Sequence, residues 1–244
     1  MTTNFLTALH SWRVWYFLSL QDILLRYRGS VLGPFWITIS TTITVFSMGY
    51  LYGILFGINR AAYLPYFTTG IIGWTFISSI INESTKIFLE SKPYLENIRL
   101  PATVYIFRLI FRNLIILIHN LPVYIPVAVI NNIKIDTTLF LFIPGLFFLC
   151  LNGVFYATLI AFISAKFPDI GSIVVSLLQI FFFLTPIMWP PSALPSKFHF
   201  FLHFNPFYYF ISLFRNPLLG IPFDMSQVVG TLVLTLIGAL LFFS

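Results

Sequence analysis

Apolar residues run through this chain in long stretches, and polar ones gather between them. A helix needs about 20 mostly apolar residues to cross a bilayer. Six stretches meet that length, at about 31–56, 63–81, 101–130, 138–165, 170–189 and 226–244. Pro122 and Pro126 fall near the far end of the third, and Gly29 with Gly33-Pro34 predicts a turn into the first. The pattern predicts an all-α integral membrane protein with six transmembrane helices over residues 31–244.

Two stretches break the pattern. "LHSWRVWYFLSLQDILLRYRG" mixes Trp12, Trp15, Phe17 and Leu24 with Arg13, Asp22, Arg26 and Arg28. That mixture suits an amphipathic helix lying in the cytoplasmic interface over residues 1–30; the alternative is a loose tail. "HFFLHFNPFYYFISLFRNPLLG" is too greasy for a surface loop and too interrupted, by Pro206 and Pro217, for a span. Broken backbone at membrane depth is tolerated where it is buried in protein or lines a cavity. Two short helices split around Asn205-Pro206 that dip into the outer leaflet and return fit the segment. An interfacial aromatic belt packed on the bundle fits it as well.

Composition sharpens the class. The chain is 59% hydrophobic and 8% charged, where a soluble domain carries about 25% charge. Its net charge of +6 therefore reads as orientation anchors, with no nucleic-acid partner implied. With the N-terminus inside, the inner segments hold Arg13, Arg26, Arg28, Lys86, Lys92, Arg99 and Lys166. The outer ones hold Arg60, Lys134, Lys197 and Arg215, so the bias is seven against four. Both termini are thus expected in the cytoplasm. The chain stops within its last apolar stretch, and a short C-terminal tail is expected beyond it.

Several chemistries find no footing. No Lys follows a Gly, so there is no phosphate-binding P-loop. His199 and His203 are four apart with no obvious third ligand, which predicts no metal site. Cys150 is the single cysteine and reads as packing. Glu83, Glu90, Glu96 and Asp169 sit at the inner ends of the stretches, leaving no carboxylate relay at depth. The segment 82–100 alternates acids and bases and predicts a short cytoplasmic helix between spans two and three.

Uncharged hydrogen-bonding capacity is what the apolar stretches do hold. The first contains Thr38, Ser40, Thr41, Thr42, Thr44 and Ser47. In the fifth, Ser172, Ser176, Gln179 and Phe183 recur at spacings of four, three and four, which is one helical face. Such a face suits either helix-to-helix bonding or a polar lane for a hydroxylated substrate. Gly49, Gly53 and Gly57 share a face that permits close helix contact, within the chain or across a dimer. Arg108, Arg112 and His119 share another, suited to snorkelling or to an anionic headgroup.

Four passages carry a family resemblance. "QDILLRYRGSVLGPFW", "GIIGWTFISSIINEST", "KFPDIGSIVVSLLQIFFFLTPIMWPPSALP" and "NPFYYFISLFRNPLLG" resemble, in order, segments of the membrane subunits of bacterial ABC polysaccharide exporters. These are permeases of the ABC type-2 class that move O-antigen, capsule or teichoic acid chains. The resemblance implies a six-helix half-transporter in the bacterial inner membrane, working as a homodimer with two copies of a separate ATP-binding subunit. ATP and Mg would be bound by that partner, with no cofactor or catalytic residue here. It implies a coupling loop at about 82–100, with Glu90, Tyr94, Glu96 and Arg99 against the ATPase. It also implies re-entrant helices at a periplasmic gate over about 190–222, with Trp189, Phe207, Tyr208 and Tyr209. For a lipid-linked polysaccharide, Thr41, Thr44, Ser172, Ser176, Gln179 and Phe183 would line the channel. Arg26, Arg28, Arg108 and Arg112 would meet a lipid headgroup or pyrophosphate. The absence of a basic C-terminal tail is a departure from the family. Two rival readings are an exporter of a small molecule or drug with the same architecture, and a membrane-embedded glycolipid enzyme.

The orientation is directly testable. In a Cys150→Ala background, cysteines replacing Lys134 and Lys197 are expected to react with an impermeant thiol reagent from outside, and one replacing Lys92 is not. Outside labelling at position 92 would reverse the topology.

Overall fold

Each long apolar stretch is a helix, and local chemistry sets where most of them start and stop. The computed structural model describes residues 2–92, 100–134 and 136–243. Two helices open the chain, α1 (Thr2–His10) and α2 (Trp12–Arg26). A turn follows in which Gly33 has φ +55°, and Pro34 caps α3 (Phe35–Leu55). The side chain of Asn59 accepts from the Ala61 amide and starts α4 (Arg60–Ser84). A single turn, α5 (Ile87–Glu90), precedes α6 (Thr103–Ile130). Pro122 and Pro126 lie inside α6 without ending it. A 3₁₀ turn at Thr137–Leu141 runs into α7 (Phe142–Lys166).

The fifth apolar stretch departs from expectation. Pro168 occupies the first turn of α8 (Pro168–Leu184), which ends where Thr185 turns extended ahead of Pro186. Its 17 residues extend about 26 Å, short of the ~30 Å hydrocarbon core. Helices at the other five stretches are long and apolar enough to cross a membrane. After α8 come two 3₁₀ turns, then α9 (Phe200–Phe204), α10 (Pro206–Leu218) and α11 (Met225–Phe243). Asn205 caps α10 by accepting from the Phe207 amide at 3.0 Å.

α4 is the centre of the bundle. Of its most apolar stretch 67% is buried, against 17% for α3 and 22% for α11, so the latter two are peripheral. α4 packs on α3, α6, α7, α8 and α10. Ile72, Phe76 and Ile80 of α4 join Ile106 and Leu109 of α6, Leu149 of α7 and Phe214 of α10 in one core. The glycine face of α3 is spent inside the chain. Gly49 and Gly53 lie against Leu64 and Tyr63 of α4, whereas Gly57, at φ +63°, makes the turn after the helix.

Burial separates the two halves of the interrupted aromatic segment. α10 has 13 residues, about 20 Å of helix, too few to cross. Phe210 through Arg215 are all buried, so it is no surface belt. It sits among α4, α7 and α11. A Cβ at Gly145 would lie 2.6 Å from the Leu213 carbonyl oxygen, and one at Gly73 2.8 Å from the Phe214 ring. α9 keeps more of the belt character, with Phe200, Phe201 and Phe204 exposed. At the other end of the bundle, Phe5 of α1 packs on Phe242 and Phe243 of α11, at 5.6 and 6.2 Å between rings.

Substitution at Gly145 tests how tightly α10 is seated. Gly145→Val forces α10 off α7, an overpacking cost of about 1–3 kcal/mol. It is expected to lower the melting temperature of the purified protein, whereas Gly57→Asn, at an open left-handed turn position, should leave it nearly unchanged.

Candidate functional site

Three polar features stand out within the apolar bundle. The first is an ion network joining α2, α4 and α6. Asp22 of α2 accepts from Arg108 at both carboxylate oxygens, at 2.8 Å from Nε and 2.5 Å from Nη2. Arg112 bridges the two acids, at 2.7 Å from Asp22 and 2.8 Å from Glu83. Asn113 donates to the same Glu83 oxygen at 2.8 Å, and Arg26 reaches the other at 3.2 Å. The Ser19 hydroxyl donates to the Arg108 carbonyl, and Trp15 stacks on Phe107. The opening segment is therefore a docked helix and no loose tail. Of the four arginines assigned to an anionic headgroup, Arg108 and Arg112 spend donors on Asp22 and Glu83. Arg26 is 42% exposed, and Arg28 is exposed just beyond α2.

The second feature is a polar strip turned out of the protomer. Ser172, Ser176, Gln179 and Phe183 all lie on the exposed face of α8, while Gly171 and Leu178 face inward. Ser176 donates back to the Ser172 carbonyl at 3.0 Å. On α3, Ser40, Thr44 and Ser47 are exposed likewise. Thr41 is not with them, because its hydroxyl donates to Asn120 of α6 at 2.7 Å. An exposed amide such as Gln179 at membrane depth is costly in lipid. The strip needs a polar facing outside the single chain.

The third feature gathers around the end of α8. Thr185 and Ile187 are fully buried in irregular backbone whose carbonyls need donors. Tyr66 of α4 donates to the Pro186 and Trp189 carbonyls, at 2.7 and 3.2 Å, and Tyr63 donates to the Met188 carbonyl. Asn205 donates to the Thr185 hydroxyl at 2.9 Å. Arg215 of α10 donates to the Pro186 carbonyl at 2.8 Å, with its guanidinium carbon 3.7 Å from the centre of the Tyr66 ring. It is 4% exposed, and the polar groups facing it are the tyrosines 63, 66 and 208. A desolvated cation–π contact gives about 2 kcal/mol or more. The cost of burying a cation without a carboxylate is several kcal/mol. Arg215 is thus a buried side chain and no exposed anchor.

The expected gate residues divide. Trp189 donates from its indole to the Phe183 carbonyl at 2.9 Å. Phe207 is partly buried against the core, packed on Trp74 and Phe181 at 5.3 and 5.0 Å. The Tyr209 hydroxyl donates to the His203 carbonyl at 2.8 Å, and its ring lies over Gly230 of α11. Tyr208 lies beside it, 5.8 Å between rings. Glu90 is exposed at the end of α5, which packs on α7 through Phe88 and Phe162. Tyr94, Glu96 and Arg99 lie outside the described residues. A cleft of about 320 Å³ on the far side of α8 is lined by such residues as Ile80, Leu149, Leu177 and Phe207, with Asn152 and Tyr156 its polar members. It lacks the hydrogen-bonding surface a sugar would use. Sequence reasoning passed over Asp22, Glu83, Tyr63 and Tyr66 as site residues; the recurrence of two tyrosines three apart on α4 is the signal that was available.

Comparison with known proteins agrees with this architecture. The ABC-2 type transporter family matches residues 13–219. The O-antigen export system permease protein RfbA of Myxococcus xanthus is 23% identical over 178 residues, covering 72% of this chain and 68% of that protein. A protein of the same description from Klebsiella pneumoniae is 20% identical over 230 residues, covering 91% and 88%.

Glu83→Gln removes a carboxylate that two arginines share. Breaking a buried pair by one partner costs about 3–5 kcal/mol. The variant is expected to melt well below wild type and to expose the start of the chain to protease, while Arg28→Gln should change stability by no more than about 0.5 kcal/mol.

Proposed function

The chain belongs to the ABC-2 type transporter family, and from that premise we propose that it is the permease half of an ATP-driven exporter of a lipid-linked, O-antigen-like polysaccharide. The observation that carries this reading is the outward strip of α8, Ser172, Ser176, Gln179 and Phe183. Hydroxyls and an amide in an apolar wall find no use against lipid. They do find one against sugar hydroxyls, and the Phe183 ring offers a face to a sugar ring. Two copies, each turning α8 and the Ser40, Thr44 and Ser47 side of α3 toward the other, would enclose such a lane. Weak, repeated contacts suit a moving polymer, since a tightly held one would stall. The O-antigen export relatives support the class of cargo.

The remaining parts follow in this reading. α8 together with the irregular stretch 185–189 makes the sixth crossing, and α9 and α10 are re-entrant at the outer mouth. Both termini lie in the cytoplasm, with the ion network at the inner face of the inner membrane. Arg28 and the half-exposed Arg26 receive the headgroup or pyrophosphate, on a shelf braced by Arg108 and Arg112. The segment that begins at Glu90 docks the ATP-binding subunit, which does the hydrolysis.

The deciding experiment reconstitutes the permease with its ATP-binding subunit. Lipid-linked polysaccharide is expected to stimulate ATP hydrolysis and to become enzyme-accessible on the far side; stimulation by small amphiphilic drugs instead would move the chain to drug export. Gln179→Leu should cut export per assembled complex about tenfold. Tyr208→Ala should also lower export at normal assembly, whereas Tyr209→Ala, which removes a ring packed on α11, should lower assembly itself. Wild-type export by assembled Gln179→Leu would sink the lane.

A further inference from the structure

The cluster at the end of α8 has a design that simple packing does not need. Among the described residues, Arg215 is a buried cation with no carboxylate beside it, and its Nε and Nη2 have no hydrogen-bond partner. The carbonyl to which it donates, that of Pro186, is already served by the Tyr66 hydroxyl. Nothing in the backbone accounting therefore requires a guanidinium here. A buried cation without a carboxylate is costly, and an apolar side chain of similar length removes that cost. Room for it is nevertheless built into α4. A Cβ at Gly70 would fall onto Nη2 and lie 3.2 Å from the Ile187 carbonyl oxygen.

The cluster also joins separate elements of the bundle. α4 carries Glu83 of the ion network at one end and Tyr63 and Tyr66 at the other. Those tyrosines grip the chain just after α8 ends, at the carbonyls of Pro186, Met188 and Trp189, a few residues beyond Phe183 at the end of its polar face. Arg215 adds α10 to the same grip. We propose that Arg215, seated on Gly70 and Tyr66, is a latch that holds α10 and the 185–189 stretch together across the outer mouth when no cargo is passing. Its charge is tolerable while the mouth is shut and becomes hydrated when the mouth opens, so the latch is stable in the first state without being locked in it. Arg215, Tyr66 and Gly70 are positioning residues for passage. The placement at an outer mouth rests on the exporter reading above.

The test reads the seal directly. The permease assembled with its ATP-binding subunit is placed in proteoliposomes loaded with a small hydrophilic dye, with neither ATP nor cargo. Arg215→Met, Tyr66→Phe and Gly70→Ala are compared with wild type for dye leakage, and for melting temperature of the assembled complex. Leakage is expected to rise at least fivefold in Arg215→Met and Gly70→Ala and less in Tyr66→Phe. Arg215→Lys should restore part of the seal. The melting temperature of Arg215→Met is expected to hold or rise. A leak-tight Arg215→Met complex overturns the latch, as does a melting temperature that falls while the seal holds. Should Arg215→Met fail to assemble, Tyr66→Phe decides, because it removes a single oxygen: a leak supports the latch and a wild-type seal overturns it. Failure of wild-type complex to move polysaccharide would sink the cargo reading while leaving this comparison intact, since the seal is read without cargo.

Discussion

A carbonyl buried at membrane depth must meet a donor, because no water is there to replace one. The stretch from Thr185 to Trp189 is the place where this chain comes closest to breaking that rule. Pro186 ends α8 early, and the backbone that follows is irregular and buried. Its carbonyls are met by side chains: Tyr63, Tyr66 and Arg215. That requirement places α4, which carries both tyrosines, beside α8. α10 approaches α4 and α7 closely at Gly73 and Gly145.

The other end of α4 is held by a different force. Three arginines and two acids from α2, α4 and α6 share their charges within a partly buried network. Such a network adds little net stability relative to apolar packing, yet losing one member is expensive. It therefore fixes which helices meet more than it strengthens their meeting. α2 is bound to the bundle by its charges and by Trp15, and its exposed side carries Phe17, Leu24 and Leu25. A helix docked at one face and greasy at the other is well placed at a membrane surface.

A central helix braced at both ends suits a transporter. α4 is continuous from the ion network at Glu83 to the tyrosines that hold the chain after α8. The exposed polar face of α8 stands beside this rod and belongs, on physical grounds, against something other than lipid.

The sequence by itself determined the class and the elements. Six apolar stretches, a charged amphipathic start and an interrupted aromatic segment are local properties, and helices formed at each of them, although the fifth stops at Leu184 ahead of Pro186. The polar face of α8 was legible as well, because helical periodicity turns spacings of three and four into one stripe. The docking of α2 was not legible, since Asp22 and Arg108 are 86 residues apart and spacing says nothing about such pairs. Thr41 and Thr44 look alike in sequence, yet one bonds Asn120 and the other faces out. Arg215 reads in sequence as an outer-side anchor, and only tertiary structure buries it on Tyr66. Burial and partner choice depend on which helices lie side by side, and that is settled when distant donors and acceptors must satisfy one another in a medium without water.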